Sequence, residues 1–241
     1  MGHQIDTAYD DICREVQMIL ARDPKAHFVF FTTGFSRGAA ATRVLNNRLL
    51  NVGILNPDSN PLTSGSILVP SSAVVVGASV IFDTVVSDFK AYAGAQYAEV
   101  PDPSAFGISP RIRQVLHITA MNEYREFFPL TPAVGRNVAE VQVPGAHSDI
   151  GGSYQTDGLS AVTLRMARNF FIKAGLPLTT EQEMKTSYLP HTPRFIIHDP
   201  RIVPKLPWEQ QLQQMRQISR TDHAKGVRGQ QHSKQVRLRP I

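Results

Sequence analysis

The stretch HFVFFTTGFSRGAAATRVLNNRLL, residues 27–50, decides the fold. His27 to Thr32 is a short apolar run of β-formers without alternation, the pattern of a strand buried on both faces of a parallel sheet. Gly34-Phe35-Ser36-Arg37-Gly38 then turns sharply, and the Ala-rich run from Ala39 to Leu50 has helical composition. Strand, tight turn and helix in immediate succession are the wiring of an α/β fold with parallel strands. The turn carries a second signal. Gly34-x-Ser36-x-Gly38 matches the nucleophile elbow, where a serine occupies a strained strand-to-helix turn and small residues two positions away supply conformation and clearance. The same residues also read as an ordinary Gly-rich βα turn with an exposed serine, or as a phosphate-cradling turn. The G-x-x-x-x-G-K-[ST] loop that would favour nucleotide binding is absent.

Outward from this unit the pattern continues. On the N-terminal side, Ile5, Ala8, Tyr9, Ile12, Val16, Ile19 and Leu20 recur at helical steps, predicting an amphipathic helix over 5–22 that Asp23-Pro24 stops. On the other side, residues 54–72 are rich in Pro, Ser, Asn and Gly and read as a loop. Ala73 to Phe82 reads as a strand ending in Asp83-Thr84, and residues 94–110 as a connection. Arg113 to Phe128 is ambiguous between a strand end and a short helix. Ala139 to Val143 reads as a strand running into the loop PGAHSDIGGSY. Leu159 to Ala174 reads as a helix with Leu164, Ala167, Phe170 and Phe171 on its apolar side and Gly175 as its stop. Phe195 to Ile197 is a further short strand candidate. Residues 207–219 place Trp208, Leu212, Met215 and Ile218 on one helical face. No internal repeat is visible.

Composition excludes several classes. The 241 residues are 42% hydrophobic and 19% charged, ordinary for one globular α/β domain. The longest apolar run, Ala73 to Phe82, is about half of a membrane span. The start, MGHQIDTAYDD, has neither the basic nor the apolar region of a secretory signal, so synthesis without such a signal is expected. The lone Cys13 forms no internal disulfide and leaves no cysteine-based metal site. The net charge of +5 is unevenly placed. Residues 216–241 carry seven Lys and Arg against Asp222 alone, so the rest of the chain is close to neutral.

A serine nucleophile needs a histidine base and an acid that orients it. In α/β-hydrolases these follow in the order Ser, Asp or Glu, His, on loops after successive strands. Asp83 ends the 73–82 strand and is placed as that acid, although a cap made with Thr84 is the other reading. His147 follows the 139–143 strand in a Gly-flanked loop, as a mobile, exposed base. His27 lies at the wrong end of its strand; His117, His191 and His198 read as structural. Asp149 is the alternative acid, or else holds the loop by accepting backbone N–H bonds or contributes to a metal site. His147-Ser148-Asp149 is too sparse for a metal motif, and no metal or cofactor is expected.

Four segments together resemble one family: GFSRGAAATR (34–43), VIFDTVVS (80–87), HITAMNEYREFF (117–128) and VPGAHSDIGGSY (143–154). They look like the signature blocks of the type VI secretion phospholipase effectors, an α/β-hydrolase family. Those proteins read GFSRGA-x-x-A-R, then W/F-D-T-V, H-A-x-A-x-D-E-x-R and G-x-H-S-D-V-G-G, in the same order. The resemblance implies Ser36 as nucleophile, Asp83 as acid and His147 as base, with the backbone N–H of Arg37 as one oxyanion donor. It implies a glycerophospholipid acyl ester as substrate, a secretion-spike or immunity protein as partner, and delivery by a type VI system into a target cell envelope. Asn122 stands where the family often has Asp, and His117, Ala120, Asn122, Glu123 and Arg125 are expected as a hydrogen-bond and ion-pair cluster beneath the site. The family's second oxyanion donor follows an earlier strand, and no such strand precedes residue 27. The expected fold is therefore an α/β-hydrolase-like, mostly parallel sheet lacking the N-terminal strands of the full fold.

Residues 1–206 are expected to form this catalytic domain, and 207–241 an amphipathic helix with a basic tail. The tail has the charge to meet an anionic membrane surface, although a solvated terminus is the plainer reading. No aromatic residue interleaves its charges, so nucleic acid is not an expected partner. The rival to the hydrolase reading is a catalytically incomplete fragment acting as a partner-dependent interaction module.

Overall fold

A computed structural model describes residues 2–59, 66–86, 106–125, 128–154, 158–178 and 197–198. The chain opens with helix α1 (Gly2–Arg22), which buries Ile5, Tyr9, Cys13 and Val16 at helical spacing. Cys13 takes a place in the buried stripe, whereas Ile19, expected there, is exposed. Strand β1 (Val29–Phe35) leads through Ser36 into α2 (Arg37–Val52), the anticipated strand-turn-helix. Strands β4 (Val75–Phe82), β5 (Val115–Ala120) and β6 (Val138–Val143) follow. The ambiguous segment thus resolves to a strand, β5, with all six residues buried. The sheet has the order β1-β4-β5-β6, and every neighbouring pair is parallel. The fold is α/β with a four-stranded parallel sheet.

Two apolar layers cover the sheet. On one face α1 and α2 pack through Tyr9, Val16, Leu49 and Leu50 against Val76, Ile81 and Val115. On the other, helix α4 (Gly158–Lys173) places Ala167, Met166, Phe170 and Phe171 against Val80, Leu116 and Ile118. Fully burying a Val, Leu or Ile side chain, as at Leu49, Leu50, Val76, Val80, Ile81 and Ile118, stabilises the fold by about 1.5–3 kcal/mol. Leu164, assigned to the apolar side of α4 by its spacing, is exposed, and Thr163 is buried instead, its hydroxyl donating to Ile150 O and Ser160 O. Gly77 is an extra residue in β4: Phe30 pairs with Val76 and Phe31 with Ala78. The bulge shifts the side-chain alternation by one, so Val76 and Ile81 share the α2 face although they are five residues apart.

Two expectations need correction. Residues 54–72 are not simply a loop: β2 (Ile54–Leu55) pairs antiparallel with β3 (Ile67–Val69), and Ser71–Ala73 forms a short 3-10 turn. That turn also moves the start of β4 to Val75. Second, β1 is not buried on both faces. It is an edge of the sheet among the described residues, and Val29 is 49% exposed. Residues 195 and 196 of the strand candidate and everything from 199 onward, including the amphipathic segment and basic tail, lie outside the described residues, and Ile197, the candidate's last residue, is not in a strand.

Candidate active site

The C-terminal ends of β1, β4 and β6 converge on one point. Ser36 follows β1 with φ 59° and ψ −124°, a conformation that side chains rarely adopt. It is fastened to the next strand at both peptide groups: Ser36 N–H donates to Phe82 O at 3.0 Å, and Val85 N–H donates to Ser36 O at 3.3 Å. Gly34 is required by packing, since a Cβ there would overlap the carbonyl of Gly38 and the hydroxyl of Thr42. Gly38 is different. A Cβ at that position meets no described atom within 4 Å, so the clearance expected of both elbow glycines belongs to Gly34 alone. Gly38 lies in the first turn of α2 with its Cα hydrogens toward open space, whereas Gly34 is pressed beneath that turn.

Asp83, directly after β4, is fully buried and also has a positive φ, of 36°. Its N–H donates to Ile118 O at 2.7 Å, and its Oδ1 accepts the Ala120 N–H at 2.9 Å. The other carboxylate oxygen, Oδ2, lies 2.7 Å from His147 Nδ1. His147 Nε2 in turn lies 2.8 Å from Ser36 Oγ. Three residues separated by up to 111 positions therefore form one continuous chain of hydrogen bonds, carboxylate to imidazole to hydroxyl.

His147 is not the exposed loop residue expected. It opens the short helix α3 (His147–Gly151) and is only 3% exposed. The Phe35 and Phe128 rings cover it, with centroids 4.4 and 4.7 Å from the imidazole. Sequence reasoning missed both aromatics. Phe35 occupies an unconstrained position of the elbow pattern, and nothing local marks Phe128 as the lid of a histidine 19 residues later. The loop before α3 is held from below: Gly145 N–H donates to Asn122 Oδ1 at 2.9 Å and His147 N–H to Glu123 Oε2 at 3.2 Å. Arg125 bonds both oxygens of Glu123, at 2.9 Å through Nε and 2.8 Å through Nη2.

The two candidate acids part company in space. Asp149 accepts the Ala146 N–H at 2.8 Å, reaching back across the start of α3 as a capping residue does. Its remaining capacity goes to His198, whose N–H and Nδ1 lie 2.9 and 2.5 Å from Oδ2 and Oδ1. The Tyr154 ring stacks on that imidazole at 3.8 Å. The contact with His198 spans 49 residues and no sequence pattern announced it. Arg37 begins α2, where first-turn N–H groups have no acceptor within the helix and the helix dipole favours negative charge. Among the described residues no group of three or more His, Cys, Asp or Glu stands together as a metal site. No described helix is long and apolar enough to cross a membrane.

No protein-family profile matches the chain, and no curated protein matches it. Two solved structures are similar in part. One is an uncharacterized protein from Pseudomonas aeruginosa, 18% identical, with a TM-score of 0.47, covering 72% of this chain and 28% of that one. The other is the Tle1 effector bound to the VgrG spike of a type 6 secretion system. It is 30% identical, with a TM-score of 0.45, covering 64% of this chain and 31% of that one. The chain spans less than a third of the length of either.

Proposed function

We propose that the chain carries the catalytic centre of a serine hydrolase of the α/β-hydrolase kind, acting on carboxylic esters. One observation supports this most directly: the unbroken Asp83–His147–Ser36 hydrogen-bond chain at the ends of parallel strands, with the serine on a positive-φ turn. In this reading His147 carries its proton on Nδ1, donated to Asp83, which leaves Nε2 free to accept the Ser36 hydroxyl proton. The alkoxide attacks the ester carbonyl. Negative charge moves onto the carbonyl oxygen, where the Arg37 N–H and the α2 dipole stabilise it. His147, now protonated and electrostatically held by Asp83, gives its proton to the departing alcohol. Water then enters, loses a proton to His147 and attacks the acyl carbonyl, and the acid is released as the Ser36 oxygen takes that proton back from His147.

The substrate class rests on the four sequence blocks and not on the geometry. They point to glycerophospholipid acyl esters, hydrolysed by an effector of a type VI secretion system, with a spike or immunity protein as partner. The test compares wild type and Ser36→Ala on acyl-labelled phospholipid vesicles. Wild-type release of labelled fatty acid, with loss of about a thousandfold or more in the variant, supports the reading. Equal release by both overturns it.

The position of β1 at the sheet's edge among the described residues favours a second reading, in which further polypeptide pairs with that edge and the site works only in the completed sheet. Turnover of ester by the isolated chain counts against it.

A further inference from the structure

Behind Asp83, four side chains from neighbouring elements form a one-way hydrogen-bond relay that the ester mechanism does not use. Arg43 of α2 is only 2% exposed and can only donate. Its Nη2 bonds Thr84 Oγ1 at 3.0 Å and Thr131 O at 2.9 Å, and its Nη1 bonds Pro132 O at 2.8 Å. The Thr84 hydroxyl, while accepting from the guanidinium, keeps its own proton free to donate to His117 Nε2, 3.1 Å away. The Thr84 N–H points at the same nitrogen, at 3.3 Å. Two donors converge on Nε2, so the proton of His117 resides on Nδ1, where it is donated to Glu140 Oε2 at 2.8 Å.

The groups facing His117 are Arg43 from α2, Asp83 after β4 and Glu140 from β6. Burial is the largest influence on the imidazole, and with Arg43 it outweighs the pull of the two carboxylates, so the ring's pKa is depressed and the ring stays neutral. Glu140 holds its charge: burial pushes its carboxyl up, but His117, the Ala133 N–H and Arg43 together bring it below the ordinary value. The relay thus runs in one fixed sense, from a permanent cation through Thr84 and a neutral His117 to a carboxylate.

Its place in the chain gives it a task. Asp83 holds φ 36° without being glycine, a strained conformation that its surroundings must maintain. The Asp83 N–H is pinned to β5 through Ile118 O, and the adjoining Thr84 N–H to β5 through the His117 ring. The Thr84 carbonyl accepts the Thr131 N–H at 2.8 Å. We propose that His117, oriented by Glu140 and by the Arg43-bound Thr84, is a positioning residue that holds the Asp83–Thr84 turn and thereby aims the Asp83 carboxylate at His147. This role rests on the hydrolase reading of Ser36, His147 and Asp83.

The test uses the full chain, a soluble p-nitrophenyl ester and a fluorophosphonate probe that labels active serines. Thr84→Val keeps the side-chain shape and removes the hydroxyl; Thr84→Ser restores it. Glu140→Gln removes the charge that holds His117 Nδ1–H, at a half-buried position that tolerates the change in fold. Thr84→Val and Glu140→Gln are expected to lower kcat and the labelling rate about tenfold to a hundredfold, with KM little changed. Thr84→Ser is expected to recover most of that loss. Folded Thr84→Val and Glu140→Gln proteins with wild-type kcat overturn the proposal, as does a loss that Thr84→Ser fails to restore. If Thr84→Val does not fold, Glu140→Gln decides alone. A wild-type protein that neither turns over ester nor labels at Ser36 overturns the hydrolase reading itself, a separate outcome.

Discussion

Gly151 lies so close against the Phe35 ring that a methyl group at 151 would overlap the ring's outer carbons. Phe35 in turn packs on the His147 imidazole, so α3 sets the position of its own first residue twice, through the helix backbone and through an aromatic ring from the elbow. Gly151→Ala must therefore displace Phe35. We expect a loss of about 1–3 kcal/mol in unfolding free energy and a fall in kcat of about tenfold or more. Denaturant unfolding and ester kinetics on the same preparation check both. Unchanged kcat would show that Phe35 does not hold the imidazole.

The elbow glycines should respond in opposite directions. Gly34→Ala forces a methyl into the Gly38 carbonyl, backbone that cannot step aside, and should cost about 3 kcal/mol or more. Gly38→Ala meets open space within α2 and should stabilise the protein by about 0.5–1 kcal/mol. Melting temperatures of the two variants separate these outcomes. A destabilised Gly38→Ala would show that the fold does depend on clearance at this position.

Asp83 and Asp149 are equally buried but differently employed. On the proposed reading, Asp83→Asn would disturb the tautomer in which His147 accepts from Ser36 and should lower kcat about a thousandfold or more while the protein remains folded. Asp149→Asn weakens the start of α3 and the attachment of His198, and should cost about 1–3 kcal/mol of stability with kcat within about threefold of wild type. Parallel kinetic and unfolding measurements test the division. If Asp149→Asn loses as much activity as Asp83→Asn, the assignment of the acid fails.

Stability should fall in two acid steps. His117 is held below its ordinary value when folded, so the unfolded chain takes up the proton first. The associated stability is complete above the ordinary histidine pKa of about 6.5 and is lost as pH falls through that value toward the folded pKa. Glu140, also depressed, contributes stability that is present above its ordinary value and is lost as pH falls through its folded pKa. Urea unfolding from about pH 7.5 to about pH 4 should show the first decline, and His117→Gln should flatten it. A wild-type curve level down to about pH 5 contradicts the assignment of His117 as a buried neutral ring.

Much of this arrangement was legible before any coordinates. A continuous apolar run of β-formers before G-x-S-x-G marks a strand and its turn, because such a run fits a helix-covered parallel sheet and only a small residue fits beneath the turn at Gly34. Asp83 and His147 were legible by rank, as polar residues at the ends of the next apolar runs. The exposure of individual side chains was not. β1 reads as a strand buried on both faces because its composition cannot reveal which neighbours it has, yet it is an edge among the described residues and Val29 is half-exposed. His147 reads as exposed because glycines flank it, yet two distant phenylalanines bury it. The Arg43–Thr84–His117–Glu140 relay joins α2, β4, β5 and β6, and its members are too far apart in sequence for any spacing rule to link them. Polar groups that meet only through tertiary packing leave no period to read.

The sheet is laid down in chain order, β1 then β4, β5 and β6, each new strand joining the same advancing edge. A ribosome making this protein can thus pair the strands as they emerge, yet it delivers the serine 111 residues ahead of the imidazole that would activate it. On the proposed reading the hydroxyl gains its base only when α3 docks beneath Phe35, so the site is completed by the last strand of the sheet and the helix that follows it.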